Sequence, residues 1–156
     1  MPLCALSKSK GMVINMKIND YDFPDGLYYE KNHFWAKKDD DGNVIFGATD
    51  FFQKLAGEIV YIELPMQGAK VKQGESVSSL ESGKWVGKIF APVTGEIIEA
   101  NSELEDSPEL INDSCYDEGW IAKIKPDSLD ADFANLMKTG AEFEEFIKAE
   151  SEKHKK

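Results

Sequence analysis

The sequence predicts a mostly β protein, either a sandwich or a flattened barrel. Three observations carry that expectation. The apolar runs are short, and turn residues separate them at close intervals, as at Asp41-Gly42-Asn43, Gln73-Gly74 and Pro92-Val93-Thr94-Gly95. Residues 59–64 alternate like a half-buried strand before Pro65 ends them. Helical signals are few: one stretch before Gly57, a short one within residues 102–111, and the region after Pro126.

In chain order, residues 1–19 are expected to be a flexible N-terminal segment, with an edge strand at 12–18 as the alternative. Residues 20–156 form one domain. Residues 22–26 read as a turn cluster and 27–30 as a short strand. Residues 34–37 and 44–47 read as a hairpin around the Asp-rich turn 39–43. Thr49 or Asp50 caps a short helix over 51–56, with Gly57 as its stop. The β core continues at 59–64, 71–72, 77–80, 85–90 and 96–100. Residues 102–111 are a Pro-broken loop with a short helix, and 120–125 the last strand. C-terminal helices occupy 127–153. The first is capped by Asp127 or Ser128 and runs through Met137, and the second begins at Ala141 after Thr139 and Gly140. Phe143, Phe146 and Ile147 fall at i, i+3 and i+4 on that second helix, a face suited to packing on the sheets.

Composition excludes several functions. The chain of 156 residues carries a net charge of −11, so nucleic acid and anionic membrane are not expected partners. The excess of acid is read either as solubility or as a surface that docks basic enzymes. All eighteen basic residues are lysine, so no guanidinium clamp for phosphate can be built, which argues against phosphoryl transfer. Cys4 and Cys115 are too few for a disulfide framework or a zinc site, and a reducing compartment follows. The three aspartates at 39–41 lack the spacing and the later Glu of a calcium loop, so no metal site is expected. No apolar run is long enough to span a membrane. The start of the chain, with Lys8, Lys10 and Lys17 but no clear apolar core, does not suggest secretion.

The chemistry centres on residues 77–90. Two apolar runs flank Glu81-Ser82-Gly83-Lys84, and Gly83 suits a tight hairpin with Lys84 at its tip. A lysine there is an amine that an acylating enzyme can reach; the bland alternative is a solvated charge. The flanks repeat: Gly57-Glu58-Ile59-Val60 lies upstream and Gly95-Glu96-Ile97-Ile98 downstream, as expected of two similar β halves about the lysine turn. Nothing supports an autonomous active site. His33 precedes Phe34-Trp35 in a strand, where a structural role competes with a chemical one, and His154 sits in a Lys-rich tail. No nucleophile stands beside a base in sequence, and no Gly-rich phosphate loop occurs.

Several phrases in order make the likeness specific. These are 26–29 (GLYY), 33–35 (HFW), 47–50 (GATD), 57–65 (GEIVYIELP), 81–84 (ESGK), 91–96 (APVTGE), 104–112 (LEDSPELIN) and 119–126 (GWIAKIKP). Over about residues 24–150 the chain resembles the glycine cleavage H-protein family. The resemblance implies a barrel-sandwich hybrid lipoyl-domain fold with a short helix in the N-terminal half and helices at the C-terminus. It implies a carrier rather than an enzyme, with lipoic acid in amide linkage to Lys84 and Glu81 as the acid read by a lipoate ligase or lipoyltransferase. Gly83 and Trp85 flank the attachment point. The place so implied is cytoplasmic, or the mitochondrial matrix in a eukaryote.

In that family the arm carries an aminomethyl group, a cation at neutral pH, in a cleft lined with acids. The cleft positions match His33, Phe34 and Lys88, and Phe34 and Lys88 stand where the family has acids. A like charge near an ammonium is unfavourable. Together with the bulky Trp85, these departures make the run 83–88 resemble the H-protein-like lipoate-binding proteins of the heterodisulfide-reductase-like sulfur-oxidation system. Two sets of partners follow. One is a heterodisulfide-reductase-like complex. The other is glycine decarboxylase, aminomethyltransferase and dihydrolipoamide dehydrogenase. A third reading, from another class, is a non-lipoylated interaction module. Cys115 is read either as a packed structural thiol or as a group that exchanges with the arm's sulfur.

Overall fold

The computed structural model describes residues 15–18, 21–24, 26–83, 86–138 and 141–153. These fall in two compact units, one formed by the chain's two ends (Met1–Leu27 and Lys138–Lys156) and one by Tyr28–Met137. No helix among the described residues is long and apolar enough to cross a membrane.

The end unit holds a hairpin and a helix. Strands β1 (Asn15–Ile18) and β2 (Tyr21–Pro24) are antiparallel, with Ile18 opposite Tyr21. Four residues at 21–24 thus form a strand where the sequence suggests a turn, because the aromatic residues Tyr21 and Phe23 alternate against β1 despite the intervening Asp22. Of the expected N-terminal segment and its edge strand, residues 1–14 and Asn19 lie outside the described residues. The long helix runs over Ala141–Lys153, as expected from the spacing of its apolar residues. Phe143 meets Phe23 edge-on, ring centroids 4.8 Å apart. Phe143 and Ile147 are buried, and Phe146 is half-buried.

The central unit is built on two sheets. One has six strands in the order β3 (Tyr28–Glu30), β4 (Phe34–Lys38), β5 (Val44–Ala48), β11 (Ala122–Pro126), β10 (Gly95–Ala100) and β7 (Lys70–Val71). The other has three: β6 (Ile59–Glu63), β8 (Ser76–Ser82) and β9 (Val86–Phe90). A single core lies between them, with Phe34, Phe46 and Ile124 from the larger sheet and Ile62, Leu80 and Ile89 from the smaller. This is a sandwich of mostly β structure.

The expected barrel is not formed. Strand order is linear in both sheets, from β3 to β7 in the larger, and neither closes on itself. Closure needs a continuous ladder between first and last strands. Here β7 has only two residues, and the outer edge of β3 is engaged elsewhere: Tyr29 N–H donates to the Met137 carbonyl (2.8 Å) and Met137 N–H to that of Tyr29 (2.9 Å). The same bridge shortens the first C-terminal helix, expected through Met137, to α4 (Leu129–Ala134), because the chain must extend to reach Tyr29.

The helix before Gly57 forms as its signals predict. In α1 (Asp50–Ala56), Thr49 Oγ1 accepts from Phe52 N–H at 3.2 Å, and Gly57 ends the helix at φ +83°. The loop 102–111 becomes two single turns, α2 (Glu103–Asp106) and α3 (Leu110–Asp113). Asn112 ties these to β6: its Oδ1 accepts from Ile59 N–H (2.8 Å), and its Nδ2 donates to Gly57 O (2.8 Å). In the Asp-rich turn, Asp39 Oδ1 accepts from Asp41 N–H and Asn43 N–H, so that carboxylate holds the hairpin loop.

Candidate functional site

The hairpin β8–β9 is fixed from its interior outward. Leu80 is buried, and its register partners Ile62 on β6 and Gly87 on β9 lie beside it in the sheet. Side chains alternate along a strand, and directly opposed residues share a face. The next row therefore points to solvent: Tyr61, Glu81 and Val86 lie side by side across the three strands, all exposed. One step farther from the turn, Glu63, Ser79 and Lys88 form a second row on that face. Among the described residues, no ion pair engages Glu81 or Lys88.

Lys84 and Trp85, two of the three residues joining β8 (Ser76–Ser82) to β9 (Val86–Phe90), lie outside the described residues. Gly83 precedes them and is exposed, and a Cβ on it would meet nothing within 4 Å. It does not take the left-handed conformation that a tight hairpin suggested. The described ends of the turn, Gly83 and Val86, are both open to solvent.

The remaining sequence candidates are dispersed. Phe34 has no exposed surface; its ring lies 5.1 Å from that of Phe52 on α1 and 6.4 Å from that of Phe90 on β9. It ties the larger sheet to the helix and to the hairpin. His33 sits just before it at φ +79°, half-buried, its ring 4.6 Å from that of Phe51. His33 N–H donates to the Glu30 carbonyl (2.9 Å), and the His33 carbonyl accepts from Thr49 N–H (3.0 Å). The positive φ is thus held by a tight turn. Beneath it the buried Glu30 carboxylate accepts from Asn32 N–H (2.6 Å) and Asn32 Nδ2 (2.7 Å). Burial raises the Glu30 carboxyl above its ordinary value, against the lowering effect of those hydrogen bonds.

Cys115 is buried, and its carbonyl accepts from Trp35 Nε1 at 2.8 Å. The adjacent Tyr116 hydroxyl accepts from Asp50 N–H at 3.0 Å, and burial pushes its pKa well above the ordinary phenol value, so it stays un-ionised. These contacts join the loop after α3 to β4 and the start of α1. Among the described residues no cluster of three His, Cys, Asp or Glu is placed to hold a metal.

Sequence reasoning missed the exposed apolar pair Val60 and Tyr61. Between Ile59 and Tyr61 the register of β6 against β8 shifts, so Val60 is the extra residue of a bulge. The burial sequence from Ile59 to Ile62 is in, out, out, in. A strictly alternating strand would have turned Tyr61 to the same side as Ile59. The only sequence signal was four apolar residues in a row, which alternation does not accommodate.

The comparisons with known proteins agree with one another. The family described as "Glycine cleavage H-protein" matches residues 27–150. The chain is 48% identical over 122 residues to a probable glycine cleavage system H protein of Thermococcus gammatolerans, covering 78% of this chain and 90% of that one. It is 48% identical over 120 residues to glycine cleavage system H protein 2 of Aquifex aeolicus, covering 76% and 74%. Among solved structures, it is similar to the crystal structure of a glycine cleavage system H protein from Mycobacterium marinum. That likeness has a TM-score of 0.64 and 32% identity, and covers 67% of this chain and 87% of the other.

Proposed function

We propose a function from one premise: the chain belongs to the glycine cleavage H-protein family. Members are carriers rather than enzymes, and this chain is a lipoyl carrier of that kind. On our reading lipoic acid is joined to Lys84, and the arm's cargo is the aminomethyl group of glycine cleavage. Its partners are then a lipoate-attaching enzyme, glycine decarboxylase, an aminomethyltransferase and dihydrolipoamide dehydrogenase.

The observation that carries the lysine assignment is the hairpin. Lys84 is the single residue between Gly83 and Trp85, and both described ends of that turn are exposed. Attachment balances simply. An activated acyl donor, such as an acyl adenylate made from lipoate and ATP, forms a bond from its carbonyl carbon to Lys84 Nζ and loses AMP. The lysine ammonium gives up two protons, one to become nucleophilic and one as the amide forms. The attached group supplies a reducible pair of sulfurs on a long arm. The chain's own part is to present one tethered group from the turn between the exposed Gly83 and Val86 to several enzymes at high local concentration.

Glycine cleavage is preferred to sulfur transfer for two reasons. The relatives quoted above carry the glycine cleavage name. The sulfur reading leaned on Phe34 and Lys88 as replacements for cleft acids, and Phe34 is fully buried beneath Phe52 and Phe90, where it meets no cargo. Lys88 and Trp85 remain of those departures; Trp85 lies outside the described residues, and an exposed charge such as Lys88 changes binding in water only modestly.

The test is direct. Protein incubated with lipoate, ATP and a lipoate ligase gains one lipoyl mass on the peptide containing Lys84, and Lys84→Arg abolishes it. The lipoylated form then supports exchange of labelled bicarbonate into glycine by glycine decarboxylase. An adduct on a different lysine defeats the attachment assignment. A confirmed Lys84 adduct with no exchange defeats the aminomethyl cargo.

A further inference from the structure

The internal repeat supplies a reference for judging the face beside the lysine turn. Gly57-Glu58-Ile59-Val60 leads from the end of α1 into β6, and Gly95-Glu96-Ile97-Ile98 begins β10. Both strands bulge at the same step: the register shifts between Ile59 and Tyr61 in one and between Ile97 and Glu99 in the other. Ile59 and Ile97 are both fully buried. The residues that follow differ. In β10 the extra residue Ile98 is half-buried, and the next is Glu99, whose carboxylate lies 3.6 Å from Lys123 Nζ. In β6 both are apolar and open, Val60 at 53% and Tyr61 at 58% exposure. The bulge itself therefore does not require an exposed aromatic. Only the copy next to the lysine hairpin has one.

The strand register sets what lies beside it. Tyr61 is opposite Glu81, and Glu81 is opposite Val86, which is 67% exposed. Two apolar groups thus flank a carboxylate in one row, with Val60 at its end. Glu58, Glu63 and Lys88 are also exposed. The row spans two strand spacings, about 10 Å. An enzyme that acylates the lysine must bring its own active site to the hairpin tip, because a lysine side chain is shorter than that span. Enzymes met later reach the site through the much longer acyl arm and need not touch the strands.

We propose that this row is the docking face for the enzyme that attaches lipoate, with Val60, Tyr61 and Val86 as its apolar anchors around Glu81. The partner chemistry is an apolar patch surrounding a basic side chain, the complement of an acid held between aromatic and aliphatic groups. Interfaces draw most of their affinity from a few such anchors, tyrosine among them. The proposal rests on the reading of Lys84 as the attachment point.

Initial rates of lipoylation, read by intact mass with purified ligase, lipoate and ATP, test it. Tyr61→Ala and Val86→Ala should each raise KM for the carrier about tenfold, with kcat held within about twofold. Tyr61→Glu, which gives β6 the residue that its counterpart β10 carries, should do the same in a strand that accommodates it. Met66→Ala, at 77% exposure past the far end of β6, should leave both constants unchanged. If the unaltered chain gains no lipoyl group at Lys84, the attachment reading fails and takes this one with it. If it does, and the Tyr61 and Val86 variants keep KM within about twofold, only the docking face is overturned. It is equally overturned if lipoylation is unaffected while pre-lipoylated Tyr61→Glu loses bicarbonate exchange, which gives the face to a later enzyme. A dimer in sedimentation that Tyr61→Glu dissociates, with lipoylation unaffected, gives it to a second copy.

Discussion

Phe34 decides between two views of the site, and its replacement has a calculable cost. Sequence comparison puts it at a position where the family lines a cleft with acid; the structure seals it between Phe52 and Phe90 with no exposed surface. Truncating a fully buried phenylalanine costs about 3–5 kcal/mol, from lost transfer energy and the cavity left behind. Each aromatic pair contributes about 0.5–1.5 kcal/mol of that beyond area alone. Phe34→Ala should therefore remove a large part of the ~5–15 kcal/mol typical of a folded domain. With a urea slope near ~2 kcal/mol/M, the midpoint falls by about 2 M. Phe34→Glu should be worse, because a carboxylate enters a site with no described polar partner. Phe34→Leu keeps most of the volume and should lose only ~1–2 kcal/mol. The assay is urea unfolding followed by circular dichroism, with lipoylation of the folded Phe34→Leu variant measured alongside. If Phe34→Glu shifts the midpoint by less than about 0.5 M at unchanged slope, the ring is not sealed. Phe34 is then open to the arm's cargo after all.

Three further outcomes are expected. Gly95→Ala should destabilise the fold by about 1–3 kcal/mol, since a Cβ there would clash with the Lys125 carbonyl oxygen and force β10 from β11; thermal unfolding measures it. Burial raises the Glu30 carboxyl, so the folded state keeps its proton to higher pH than the unfolded chain does. Its contribution to stability is then full below the ordinary value and is lost as pH rises through the raised one, and Glu30→Gln should flatten the stability profile in that interval. Lys88→Asp on the lipoylated chain replaces a like charge by an opposite one beside a cationic cargo. It should raise bicarbonate exchange a few-fold, about 1 kcal/mol at most for exposed groups, and the gain should shrink as salt is added.

Much of the fold was legible where local chemistry and tertiary demand coincide. Thr49 and Gly57 bound α1 because a hydroxyl and a left-handed glycine satisfy helix ends wherever they occur. The spacing of Phe143, Phe146 and Ile147 identified the C-terminal helix for the same reason. What escaped was set by distant partners. Residues 21–24 form a strand because β1 is there to pair with them. The helix after Ser128 stops at Ala134 because Met137 pairs with Tyr29, more than a hundred residues away in sequence. Whether a sheet closes depends on which strands end up at its edges, and no strand's own sequence records that.

The candidate site divides in the same way. The pairing of β8 with β9 was readable from residues 77–90 alone, since a hairpin is local. The repeat was readable too, but its meaning was not, because identical letters serve different ends. Gly57 is needed for its φ of +83° at the end of α1. Gly95 is needed because β11 leaves no room for a side chain. Glu58 is exposed, whereas Glu96 lies 3.2 Å from Lys70. What the two copies do share is the bulge after the buried isoleucine, which turns the next residues outward in both. A shared backbone irregularity with unshared side chains separates what the fold requires from what it only permits. The bulge belongs to the first kind. Val60 and Tyr61, left open to water beside the turn of Lys84 at the cost of exposed apolar surface, belong to the second, and that surplus is where a partner's contribution is to be sought.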